Sequence, residues 1–417
     1  MPAAASFSSV RAPLLLQGGD AFFPALIGAI DSASDWVQLE SYIFDFHGAG
    51  ADVAEALLRA ARRGLTVQVL VDGIGSEALQ APWQKMLQVA GVHWQVYSPL
   101  TGNWRGLGLL WPEQWRRLHR KLCVVDQRVV FCGGINILDD FYDPRHGALA
   151  APRFDFAVRL EGAVAEAASE EMALLWWRVQ AGYSARHHHL TEAWEAFRAA
   201  GFGGRIKAAH LARQRAAEVG AQEPQPSVRA ALLLRDNLLY RNSIERAYRK
   251  AIGQAREEVL IANAYFLPGG RLRRALIKAA RRGVRVTLLL QGQYEYFMQY
   301  HAARPVYGAL LAAGVEIHEY EASFLHAKVA VVDSRWSTVG SSNLDPFSLL
   351  LAREANVVID DRAFARDLRE RLRGAIVGQG RRVDAADYSR RPWRQRLLER
   401  LAYALMRLAL LLTRQRY

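Results

Sequence analysis

Apolar residues along the chain fall into two recurring patterns. Runs such as "TVQVLVDG" and "RVTLLLQG" are short, rich in β-branched residues and bounded by turn formers, as buried strands are. Between such runs lie "AGADVAEALLRAARRG" and "GRLRRALIKAARRG", whose apolar positions recur every three or four residues and which close on Gly64 and Gly283. A helix with glycine just past its end has that pattern. Strand, Gly-containing turn, helix and strand in that order predict a βαβ unit.

The unit occurs twice, at 37–73 and 259–292, and "AGVHWQVY" (90–97) is echoed by "AGVEIHEY" (313–320). Two long copies are too few for a solenoid. They predict an α/β chain of two duplicated domains, each with a mixed, largely parallel sheet flanked by helices. The expected first domain is 14–195 and the second 231–385, with an Ala-, Gly- and Pro-punctuated connection at 196–230 and a basic amphipathic tail at 386–417.

Each copy leads to the same polar motif. "HRKLCVVDQRVVFCGGIN" (119–136) and "HAKVAVVDSRWSTVGSSN" (326–343) place a histidine and a lysine two apart at the start of a strand. Residues two apart on a strand share a face, so His119 and Lys121 point one way, as do His326 and Lys328. Asp126 and Asp333 have the opposite parity and fall at the turn, where a carboxylate holds backbone amides. Beyond the return strands, Gly133–Gly134 and Gly340–Ser341 lack bulk, which lets Asn136 and Asn343 bring an amide close to a bound group.

Two such half-sites around one pocket suit a phosphate. Fixed lysine charge does there what a metal would otherwise do. One imidazole attacks phosphorus, the other protonates the leaving oxygen, and an acceptor hydroxyl then displaces the histidine. No metal or other cofactor is called for, and two in-line steps predict retention at phosphorus.

This arrangement resembles the phospholipase D superfamily, whose signature H-x-K-x4-D followed by Gly-Gly/Ser-x-Asn both copies match. The resemblance implies duplicated domains related by a pseudo-two-fold axis, with one active site at their interface. It groups Asp126 and Asp333 with His119, Lys121, His326 and Lys328 as catalytic residues, and favours His119 as nucleophile. It also implies that Asp155, in "RFDFAVRLEG", orients His326, and that Glu354, in "LLLAREANVVID", orients His119. Within the superfamily the chain is similar to short bacterial cardiolipin synthases over nearly its whole length, through "LQGGDAFFPALIGAI", "LESYIF", "RDNLLYRNSIERAYRKAI" and "GSSNLDPFSLLLAREANVVI". That implies transfer of a phosphatidyl group from one phosphatidylglycerol to another, with release of glycerol; the alternatives within the superfamily are a phospholipid hydrolase or transphosphatidylase of other specificity, or a nuclease.

Composition fits an anionic partner: 54 Lys+Arg stand against 41 Asp+Glu, a formal charge of +13. An acidic membrane surface is expected, and no nucleic acid, because the aromatics cluster with leucines and not along a polar basic groove. The insertion ahead of His119 carries Trp104, Trp111 and Trp115 among Leu and Arg, and Tyr294, Tyr296, Phe297 and Tyr300 follow a strand of the second copy. Both segments are candidate lipid contacts. The tail places Leu397, Leu398, Leu401, Leu405, Leu408 and Leu412 at helical spacing with Arg400 and Arg407 elsewhere, suiting a helix that lies on a membrane, docks on the second domain or pairs subunits. Cys123 and Cys132 fit neither a zinc spacing nor a disulfide framework. His187–His189, consecutive on a helix, diverge and suit a surface run. No stretch has the length of an uncharged membrane span, and the N-terminus lacks the layout of a secretion signal. The expected location is therefore the cytoplasmic side of a bacterial inner membrane, peripherally bound, with no oligomer required.

Overall fold

A computed structural model of the chain describes residues 7–76, 81–99, 116–144, 146–186, 228–236, 240–293 and 297–412. The tryptophan-bearing insertion before His119, the triple histidine and Tyr294 and Tyr296 lie outside the described residues. So do the side chains of Phe297, Tyr300, Arg407, Leu408 and Leu412.

The first half runs β1 (Ser8–Gln17), α1 (Gly18–Asp31), β2 (Trp36–Ser41), α2 (Ala49–Arg62), β3 (Thr66–Asp72), α3 (Ala81–Ala90), β4 (His93–Tyr97), β5 (Leu122–Val125) and β6 (Val129–Gly133). A small hairpin, β7 (Tyr142–Asp143) and β8 (Gly147–Ala148), precedes β9 (Phe156–Gly162) and α4 (Ala163–Arg186). The second half repeats the plan with β10 (Val228–Arg235), α5 (Ser243–Gln254), β11 (Glu258–Asn263), α6 (Gly270–Arg281), β12 (Arg285–Gln291), α7 (Phe297–Leu311), β13 (Glu316–Tyr320), β14 (Lys328–Val332) and β15 (Trp336–Gly340). It continues through α8 (Pro346–Leu350), β16 (Glu354–Asp360), α9 (Arg362–Gln379), β17 (Gly380–Arg382), α10 (Ala385–Ser389) and α11 (Trp393–Leu412).

The two halves share one sheet. Its order, β17-β13-β12-β11-β14-β15-β16-β10-β1-β9-β6-β5-β2-β3-β4, reads the same from both ends but for β17, and the halves meet where Ser8–Val10 pairs antiparallel with Val228–Ala230. Among the strands of the described residues only β2–β3, β3–β4, β11–β12 and β12–β13 pair in parallel, beside isolated parallel bridges such as Leu118–Arg353 and Phe154–Leu325. The expectation of largely parallel sheets is therefore corrected: parallel pairing is confined to the βαβ units, and each is extended by antiparallel strands around the motif hairpin.

Alternation along each strand fills both faces. In β5, Leu122 and Val124 enter the core that both halves share under α4 and α9, while Cys123 and Val125 enter the first half's own core with α1 and α2. Cys123 and Cys132 are free and buried, and burial pushes both thiols up to about 12, so neither is a ready nucleophile. Gly64 and Gly283 each have φ +89, the left-handed conformation expected of a glycine just past a helix, and their amides close back on Ala61 and Ala280 at 2.9 Å.

Candidate active site

The histidines stand at the carboxyl ends of the parallel strands, where open α/β sheets form their clefts. Each is held there by the other half of the molecule. The His119 amide donates to the Arg353 carbonyl at 2.9 Å, and the Arg353 amide to the Arg117 carbonyl at 2.8 Å. In the mirrored arrangement, His326 N donates to Phe154 O at 2.9 Å and Phe154 N to Phe324 O at 3.0 Å. Residues 353 and 154 each precede a buried carboxylate, so these bonds deliver Glu354 and Asp155 to the opposite histidines.

His119 Nδ1 lies 3.0 and 3.1 Å from the two oxygens of Glu354, and His326 Nδ1 lies 2.6 Å from Asp155 Oδ2. Lys121 Nζ and Lys328 Nζ each donate to the carbonyl of the histidine two residues earlier. Asn136 Oδ1 accepts from Ile43 N at 3.2 Å and Asn343 Oδ1 from Tyr265 N at 3.4 Å. Among the described residues nothing engages their Nδ2 groups, which remain as donors for a bound oxygen.

The half-sites differ in packing. A Cβ on Gly134 would fall 2.2 Å from Asp155 Oδ1, so only glycine lets that short carboxylate pass. Ser341 takes the equivalent place in the second motif, and its hydroxyl donates to Oε2 of the longer Glu354. Tyr42 packs its ring 4.9 Å from the His119 imidazole and 5.2 Å from Lys121 Nζ. The repeat places Ala264 at the corresponding position, so the aromatic ring of Tyr42 has no counterpart there.

Burial governs the titration. It lowers His119, against the pull of Glu354, and it lowers His326 well below the ordinary value, helped by Lys328, Lys121, Arg153 and His119. Desolvation brings Lys121 down to about 7, and raises Asp155 to about 7 although Lys328 opposes it. The Asp155–His326 pair thus favours sharing one proton over forming an ion pair. His119, His326, Lys121 and Lys328 all sense one another electrostatically, as members of one site do.

Asp126 and Asp333 are elsewhere, which corrects their grouping with the catalytic residues. The Asp126 carboxylate accepts from the amides of Ser34, Asp35 and Trp36 at 2.9 Å each, and Asp333 from Arg256, Glu257 and Glu258 at 2.9–3.0 Å. Both sit in tight turns at the far ends of β5 and β14, with φ near +50 at Asp126 (50), Gln127 (56), Asp333 (51) and Ser334 (48).

Reasoning from sequence passed over Tyr42 and Asp72, and named Ser341 only for its lack of bulk. Buried Asp72, at the end of β3, takes the Arg117 guanidinium at 2.6 Å and the Leu118 amide at 2.8 Å, fixing the approach to His119. Its place in the repeat belongs to Gln291, which accepts from Leu325 N at 3.3 Å. The available signal was position: Asp72 closes one strand of the βαβ unit and Tyr42 directly follows the other.

A family model described as "Cardiolipin synthase, PLD-like domain" matches residues 26–144 and again 248–375. Cardiolipin synthase B of Escherichia coli (strain K12) is 38% identical over 91% of this chain and 84% of its own length. Cardiolipin synthase A of Cronobacter sakazakii is 31% identical over 93% of this chain and 74% of its own. Among solved structures, phosphatidylserine synthase of Haemophilus influenzae Rd KW20 superposes with a TM-score of 0.66 at 14% identity, covering 98% of this chain and 96% of that one, a likeness of fold. With two matched domains and paired His-Lys half-sites, the chain belongs to the cardiolipin synthase family of phospholipase D-like proteins.

Proposed function

We propose that the protein is a phosphatidyltransferase that makes cardiolipin from two molecules of phosphatidylglycerol. The crossed orientation of the histidines carries this reading. Glu354 accepts from Ser341 and from His119 Nδ1–H, which leaves a lone pair on His119 Nε2 to attack phosphorus. Asp155, with its raised pKa, shares a proton with His326 Nδ1, so that as Nε2–H is given to the leaving oxygen the Asp155 proton passes to Nδ1 and a neutral imidazole remains. In the first step the P–N bond to His119 forms, the P–O bond to glycerol breaks, and His326 protonates the departing oxygen. In the second, the glycerol hydroxyl of another phosphatidylglycerol gives its proton to His326, its oxygen bonds phosphorus, and the P–N bond breaks. Lys121, Lys328, Asn136 and Asn343 neutralise and bind the non-bridging oxygens.

The exposed face of α11 supports a membrane surface as the setting of this chemistry. Helix α11 leans on α7 and the second core with buried Ala402 and Met406, while Trp393, Leu397, Leu398, Leu401 and Leu405 are exposed beside Arg394, Arg396 and Arg400. Docking on the domain and presenting an apolar basic face are thus both done by one helix. Among the described residues no helix is long and apolar enough to cross a membrane. Peripheral attachment at the cytoplasmic face of a bacterial inner membrane is the location proposed.

The test is incubation of the purified protein, in EDTA, with labelled phosphatidylglycerol in detergent micelles. Cardiolipin and free glycerol, absent with His119→Ala, are expected. Phosphatidic acid as the sole product would make the protein a hydrolase.

A further inference from the structure

At the end of the sheet away from the histidines, a cavity of about 610 Å³ lies between α5 and the strands β10, β16 and β15. That is the size of a small-molecule site, about 300–1,000 Å³. Its floor is apolar: Leu233, Ala247, Ala251, Val358 and the face of Trp336. Its rim is cationic, with Arg229, Arg246, Lys250 and Arg335.

The two acids in the lining are already engaged. Asp333 is bonded to three backbone amides, and Asp360 accepts from Arg335 at 2.7 Å with Arg229 at 3.7 Å. Arg246 and Lys250, four residues apart on one face of α5, have no ion-pair partner among the described residues. Like charges at that spacing repel and disfavour the helix, so they contribute nothing to the fold as they stand.

The repeat shows that the fold does not require them. Arg63 donates to the carbonyls of Ile30 and Ala33 at 2.9 and 3.3 Å, and Arg282 to those of Ile252 and Ala255 at 3.0 and 3.3 Å. This fixes Ile30 against Ile252, and six and two positions earlier Pro24 and Gly28 stand opposite Arg246 and Lys250. One copy of the design carries two unpaired cations over an apolar trough; the other carries none there.

We infer that this trough binds an anionic lipid, one acyl chain along the Leu233–Trp336 floor and the acidic headgroup between Arg246 and Lys250. The occupant is held and not turned over, because none of the His-Lys half-site residues is among the described lining residues. The inference rests on the trough's own chemistry; a protein that bound lipid here without transferring phosphatidyl groups would satisfy it.

Trp336 supplies the reporter. In the full chain carrying His119→Ala, to prevent turnover, a monomerically soluble phosphatidylglycerol with brominated chains should quench fluorescence saturably. The Trp336 share is read by difference from Trp336→Phe. Arg246→Glu with Lys250→Glu, both on exposed positions, should weaken that quenching about tenfold or more, as should replacing the headgroup by phosphatidylcholine. Unchanged melting temperature would certify the variant's fold. Absence of a Trp336-dependent signal, equal quenching in the charge-reversed protein, or displacement by inorganic phosphate alone would each overturn the inference. So would a signal that appears only when residues 1–6, which adjoin the lining residue Phe7, are removed.

Discussion

His326 Nδ1 rests 2.6 Å from Asp155 Oδ2, a carboxylate 171 positions away in the other half of the molecule. The corresponding pair, His119 and Glu354, is separated by 235. Each carboxylate thus meets Nδ1 of a histidine it does not share a repeat with.

Glu354→Gln keeps the shape of the side chain but can offer an N–H to His119 Nδ1, which forces the proton onto Nε2 and blocks attack. The expected loss in kcat is about 10²- to 10⁴-fold with the fold intact, measured by turnover beside circular dichroism. A kcat within twofold of the parent would remove Glu354 from its orienting role.

His119→Ala should abolish both transfer and covalent labelling. His326→Ala should abolish turnover yet still trap phosphorus on the protein when the donor has a good leaving group, seen as acid-labile, base-stable label. Label in His119→Ala and none in His326→Ala would reverse the two assignments.

Lys121, brought to about 7 in the free protein, is mostly neutral at pH 8. A phosphate-like anion favours the ammonium and raises that pKa, so binding vanadate at pH 8 should take up protons. Calorimetry in buffers of different ionisation enthalpy would read the uptake. It should vanish in Lys121→Arg, whose guanidinium is charged throughout. The acid limb of kcat/KM should lie below the ordinary histidine value of 6.5, because both imidazole pKa values are lowered and the nucleophile stays neutral until pH falls through its own.

Asp126→Ala removes three hydrogen bonds from the turn, two of them solvent-exposed, at a cost of about 0.5–1.5 kcal/mol. A lower melting temperature with kcat per folded molecule largely retained is the expected result; a stable but inactive protein would return Asp126 to the catalytic group.

Leu397→Asp with Leu401→Asp, both on the exposed face of α11, should release the protein from phosphatidylglycerol vesicles in a sedimentation assay and leave activity on micelles. Unchanged sedimentation would show that another surface makes the contact.

Much of this was open to reading in the sequence, and the limits follow from range. Periodicity is local, so the βαβ units and the glycines ending α2 and α6 could be read residue by residue. Strand parity separated His119 and Lys121 from Asp126 in the same way. Partner choice is not local: nothing in "VRAALLLR" states that β10 lies between β1 and β16, and the preponderance of antiparallel pairs was missed for that reason. The roles of Asp155 and Glu354 came through family likeness, since no spacing reveals which residues meet across the seam. Tyr42 escaped because the two copies differ there, and a repeat draws the eye to what is shared.

The seam between β1 and β10 makes the duplication something other than redundancy. Each half supplies the tether and the orienting acid for its sibling's histidine, so neither copy keeps a spare of anything. A substitution at Asp155 or Glu354 is therefore felt at a histidine of the other half, while the residue that makes room for each carboxylate, Gly134 for Asp155 and Ser341 for Glu354, comes from its own.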